Sequence, residues 1–282
     1  MRFDQVAIPL APRTTSNCLD LALCFLRRHI AAVARLWALV AVPSCALVYF
    51  LMDRYELKLP LALAVLFLAT SPLGVLLIWG AAPSVFGEPF TFWGTLKRLG
   101  WRGAGLIVSG LLLRCLIALG LVLFIFPGWY LLVRTGFRVE RSALSKLARH
   151  LHDRRTNELL KGEIGDLSFR SGAILLFCSL LWLSLLLTFD FVSSRLLGLP
   201  ILFGRLNMDW SYMGGIGDGI VYAFGFLWSD PVVVTASLAT ALLVYPLGRL
   251  AWFFCYIDVR VRRDCWDMEL KIMQDAERLE AA

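Results

Sequence analysis

LPLALAVLFLATSPLGVLLIWGAA, residues 59–82, contains no charged side chain. The apolar core of a bilayer is crossed by a helix of about 20 apolar residues. Lipid offers no partner to a backbone amide, so such a run must close its own hydrogen bonds as a helix. Working outward, runs of the same kind cover residues 30–52, 171–189 and 232–257. The fold expected is an all-α integral membrane bundle occupying residues 1–282 as one transmembrane domain.

Composition points the same way. Of 282 residues, 59% are hydrophobic and 17% charged, with a mean hydropathy of +0.72. A soluble domain carries roughly 45–50% apolar and about 25% charged residues. A soluble core of this size could not hide the excess, whereas lipid can. The first apolar run begins only at Ile30, so no cleaved leader is expected. Seven cysteines are scattered without a CxxC, and His150 and His152 point to opposite sides of a helix. No disulfide, metal site or cofactor is expected. The net charge of +7 comes from basic residues beside apolar runs. That pattern suits anionic membrane lipids as partners rather than nucleic acid.

Residues 103–141 decide the number of crossings. The run from Gly103 is interrupted by Pro127-Gly128 and becomes apolar again at Trp129. Before it stand Lys97, Arg98 and Arg102; after it, residues 134–170 carry nine Lys and Arg. Cytoplasmic flanks concentrate Lys and Arg, so both flanks belong on one side. The charges therefore predict two crossings, about 103–124 and 126–141, with a hairpin turn at Pro127 and Gly128. Six crossings result, with both termini and most of the 28 Lys and Arg in the cytoplasm. Arg54, Lys58, Arg195 and Arg205 fall outside. The location expected is a bacterial inner (cytoplasmic) membrane.

An amphipathic helix is expected over residues 17–28. At 100° per residue, Asn17, Asp20, Cys24, Arg27 and Arg28 share one arc, and Leu19, Ala22, Leu23, Phe25 and Leu26 the other. Such a helix lies in the headgroup boundary or packs on the end of the bundle. Residues 258–282 form a cytoplasmic tail. It begins with Asp258–Arg262, Arg260–Asp264 and Arg263–Asp267, all i, i+4 pairs that brace an exposed helix.

Few residues suggest chemistry. Arg114 sits near the middle of the third run, where a charge costs about 2.5–3.5 kcal/mol on insertion scales. It either receives an anionic group such as a lipid phosphate, or snorkels, or bonds carbonyls freed near Pro43 or Pro72. Arg134 and Arg138, at i and i+4, either line a polar groove or anchor the helix at the interface. Asp258, Arg260, Arg262, Arg263 and Asp267 form either a docking helix for a soluble partner or a solvated helix end. Residues 142–170 carry neither a Gly-rich phosphate loop nor a Ser/His/Asp arrangement.

Three segments together resemble a known family. They are Pro12-Arg13-Thr14-Thr15-Ser16-Asn17-Cys18-Leu19-Asp20-Leu21-Ala22-Leu23, then Phe126-Pro127-Gly128-Trp129-Tyr130-Leu131-Leu132-Val133-Arg134, then Tyr256-Ile257-Asp258-Val259-Arg260-Val261-Arg262. In this order they resemble the bacterial membrane-domain family found fused to some glycerophosphodiester phosphodiesterases and as stand-alone YciC-like proteins. The resemblance implies six helices, an inner-membrane location and no established activity for the membrane part. The metal-binding phosphodiesterase domain of the fused members has no counterpart here. Around residues 140–165 the chain departs from the family's Ala-Leu-Arg-Arg-Ser-like motif, reading Lys146-Leu147-Ala148-Arg149-His150-Leu151-His152. The function expected is a non-enzymatic scaffold or accessory subunit that holds a cytoplasmic or membrane protein. The alternative is lipid or small-solute handling around Arg114 and the helices interrupted by Pro43, Pro72 and Pro246.

Overall fold

The computed structural model describes residues 13–55, 59–144, 152–196, 198, 201–202, 225–226 and 229–264. Among them the chain forms eight α-helices: α1 (Thr15–Arg28), α2 (Ile30–Tyr55), α3 (Leu59–Ser84), α4 (Phe92–Leu123), α5 (Ile125–Thr135), α6 (Arg138–Leu144), α7 (His152–Leu196) and α8 (Pro231–Asp264). Five stretches, in α2, α3, α4, α7 and α8, are long and apolar enough to cross a membrane. The chain is a multi-pass helical membrane protein.

The residues fall into two compact units. Met1–Leu36, Ser71–Leu176 and Pro246–Ala282 make the first; Trp37–Thr70 and Phe177–Tyr245 make the second. In the second unit, polar side chains tie down helix ends. Asp230 precedes α8 and accepts from Val232 N (2.8 Å) and Val233 N (3.1 Å), and Pro231 takes the first helical position, where its missing N–H costs nothing. Asp190 accepts from Ile201 N and Leu202 N, drawing Leu202 against Leu186 and Val233. Trp182 donates to Ser237 O and Tyr245 to Thr70 O, which pins helices where apolar contact alone would let them slide.

The first unit begins at a cap. Thr14 Oγ1 accepts from Asn17 N, opening α1. This helix buries Cys18, Ala22 and Phe25, one stripe at i, i+4 and i+7. Phe25 meets Phe90 and Phe254 at ring-centroid distances of 5.7 and 6.2 Å. His29 packs on Phe25 and Phe90. Burial and then Arg28 hold its pKa below the ordinary value, so a neutral ring fits there. Farther on, α4 bends at Gly100, whose φ of +43° is a conformation that glycine adopts without steric cost.

Two expectations about residues 103–141 change. The turn falls at Phe124, an extended residue (φ −151°, ψ 125°) between α4 and α5, not at Pro127-Gly128. Pro127 lies in the first turn of α5, where a helix tolerates it. Gly128 is where the two helices touch: a Cβ there would come 2.4 Å from Leu121 N, and one on Gly120 would come 3.1 Å from Gly128 Cα. The helices pack side by side from that point. Secondly, residues 126–141 are not one helix. The 11 residues of α5 reach only about 16 Å at 1.5 Å per residue, and a turn at residues 136–137 separates α5 from α6. Phe137, fully buried, makes that turn; it stacks on Trp252 (4.6 Å) and meets Tyr256 (5.0 Å). The 45-residue α7 is longer than expected, since the charged residues ahead of 171 extend the same helix.

Candidate functional site

Among the described residues of the first unit, a dense group of charged side chains centres on Asp258. Helical spacing puts Asp166 and Arg170 on one face of α7, and Asp258 and Arg262 on one face of α8. Asp258, fully buried, accepts from Arg13 N (2.5 Å) and Arg262 Nε (3.1 Å) on Oδ1, and from Arg170 (2.6 Å) on Oδ2. Arg170, also buried, reaches Asp166 through Nε at 2.7 Å. Arg262 donates back to Arg13 O. A buried carboxylate with three donors is stable where an unpaired one would not be. The network fastens the segment before α1 to the end of α8.

Beside it, Cys18 of α1 and Cys255 of α8 share a thiol–thiol hydrogen bond. That bond holds Cys18 below the usual thiol range, against burial and the Asp258 charge. A second buried pair joins α6 to α8: Arg249 lies 2.6 Å from Glu140 Oε1, and Glu140 is fully buried. Burial pushes the Glu140 pKa up, and Arg249 opposes that shift.

Models of protein families, curated proteins and solved structures contain no match to this chain. The site is therefore read from its own geometry.

That geometry redistributes the residues singled out in the sequence. Asp258 and Arg260 are buried, at 1% and 2% exposure, so neither belongs to an exposed docking face. The Asp258–Arg262 pair forms as spaced, and Arg262 stays exposed at the surface. Arg263 falls within α8, and Asp267 lies outside the described residues. Arg134 and Arg138 are exposed, the former with its guanidinium 5.9 Å above the Tyr130 ring. The turn at residues 136–137 parts them, so they do not share one helix face.

Arg114 is half-buried. Ser71 of α3 donates to Ile107 O and lies against Gly110, and Arg114 follows these two along α4 at i+7 and i+4. It does not converge with Arg134. Each lies six residues from the Gly120–Gly128 contact, at one level. Six residues turn an α-helix through about 600°, so the two side chains leave opposite faces of the hairpin.

Sequence reasoning missed Arg170, Arg13 and the Glu140–Arg249 pair. One signal was available. Arg170 stands at the start of one apolar run and Asp258 at the end of another, and opposite charges at span ends are candidates to neutralise each other.

Proposed function

We propose that this chain is a non-enzymatic membrane scaffold that presents a basic surface to a protein partner. The observation that carries this reading is the self-sufficiency of the Asp258 network. Its acid is saturated by groups of the same chain, the arrangement of a structural tie rather than of a site awaiting a substrate. Elsewhere in the first unit Arg28, Arg134, Arg138 and Arg262 are exposed, offering charge to an acidic partner. On this reading both termini and these arginines face the cytoplasm of a bacterial inner membrane, supported by the excess of Lys and Arg beside the same span ends.

The test is purification of the tagged chain in nanodiscs, read by mass spectrometry for proteins and lipids together. A stoichiometric protein partner, lost when Arg134 and Arg138 are both changed to Glu, is the expected result. A chain that carries no protein but one enriched anionic lipid overturns it. That result would favour lipid handling, a reading supported by the placement of Arg114 in a helix whose apolar span leaves most of its surface uncovered.

A further inference from the structure

The apolar arc of α1 is divided. Cys18, Ala22 and Phe25 are buried, and His29 continues their line. Leu19, Leu23 and Leu26 form a second stripe, also at i, i+4 and i+7, with the exposed Ile30 just past the helix end, and nothing in the first unit covers it fully. Leu23 is 45% and Ile30 68% exposed, with Leu19 and Leu26 half-buried. At about 100° per residue the two stripes lie roughly 100° apart around the helix. The remaining arc holds Ser16, Asn17, Asp20, Cys24, Arg27 and Arg28, all exposed. The helix therefore has three sectors: one on the protein, one polar, and one apolar and uncovered.

What covers the third sector follows from chain continuity. Ile30, just past the stripe, is the first residue of α2, a helix long and apolar enough to cross the membrane. Only His29 separates α1 from that span, so α1 starts from the membrane boundary. Arg27 stands at the border between the apolar and polar sectors. Lipid-surface helices carry a basic residue in that position, where the stem follows the apolar layer and the guanidinium meets phosphate.

We infer that α1 is a lipid-contacting helix, with Leu19, Leu23, Leu26 and Ile30 in the headgroup–acyl boundary of the leaflet where α2 begins and Arg27 on an anionic headgroup. The bundle holds one side of α1 through Cys18, Ala22 and Phe25, and the lipid surface holds the side next to it. This contact is independent of any protein partner, so it stands or falls separately from the scaffold reading.

The experiment uses the full chain in vesicles of phosphatidylethanolamine and phosphatidylglycerol. Cys45, Cys115, Cys178 and Cys265 are replaced by Ala. An environment-sensitive fluorophore is then placed either on native Cys24, in the polar sector, or on Leu23→Cys with Cys24→Ser. Lipids brominated on their acyl chains should quench the label at 23 several-fold more than the label at 24, and aqueous iodide should do the reverse. Iodide quenching at 23 overturns the inference. So does protection of 23 from both quenchers, which would mean that protein covers the stripe. Arg27→Gln should reduce lipid quenching at 23 in vesicles containing phosphatidylglycerol and not in phosphatidylethanolamine alone. An equal response in both removes the anionic headgroup from the proposal.

Discussion

Helices α4 and α8 both cross the membrane and differ in what surrounds them. The span of α4 is the more apolar of the two, yet only 6% of it is buried within the protein, against 44% for α8. Val108, Leu112, Leu116, Leu119 and Leu123 form an exposed line along α4. In α8, by contrast, every residue from Leu250 to Val261 is buried, although that stretch includes Asp258 and Arg260. In water the ordering would be reversed. Lipid chains are as apolar as leucine, so hydrophobicity does not drive a span toward the middle of a bundle. Charge pairs, hydrogen bonds and aromatic packing do. α8 carries those groups: Arg249 for Glu140, Asp258 for Arg170, and Trp252 and Tyr256 for Phe137.

If that is the right lesson, Asp258→Asn should have the largest effect. It removes the buried partner of Arg170 and leaves only the half-exposed Asp166 beside it, and breaking a buried pair from one side costs about 3–5 kcal/mol. Thermal unfolding in detergent should shift sharply downward. Replacing both partners, Arg170→Met with Asp258→Leu, should recover most of the loss. An unshifted melting curve for Asp258→Asn would mean that the network contributes nothing to holding α8.

Glu140 sharpens the comparison through pH. Burial raises its pKa above the ordinary 4.5, so the folded state keeps the proton to higher pH than the unfolded state does. The stability linked to that proton is complete below about pH 4.5 and declines as pH rises through the elevated value. Glu140→Gln cannot ionise, so stability measured against pH should lose that decline. A slope identical to that of the native chain would show that Arg249 outweighs burial and keeps Glu140 ionised.

The smallest effect belongs to α4. Leu112 is 69% exposed, so Leu112→Ala should stay within about 0.5 kcal/mol of the native stability, as expected where no packing is lost. A shift comparable to that of Asp258→Asn would reverse the contrast and put another surface against α4.

Much of the fold was legible. The spans of α2, α3, α7 and α8 follow from apolar length, and α8 continues past residue 258 as its i, i+4 charges suggested. The hairpin was legible from its flanking charge, but its second arm was read as a sixth crossing, and among the described residues only five stretches are long and apolar enough to cross. Its turn was misplaced by three residues, because Pro127 is an equally good first-turn residue. The candidate site was far less legible. Asp258 and Arg262 paired as spaced, but Asp258 and Arg260 read as surface residues and are buried.

The sequence by itself determined that this chain is helical and crosses a membrane. Backbone groups in lipid must be satisfied within each segment, so roughly 20 apolar residues suffice to specify a helix locally. Only the tertiary structure decided which faces are covered. It turned the chain at Phe124, broke the segment after α5 to seat Phe137 on Trp252, and split the apolar arc of α1 into two stripes. It also joined Arg170 to an acid 88 residues away. Lipid does not discriminate among apolar faces, so the choice fell to pairings between residues distant in the chain, and no local pattern encodes those.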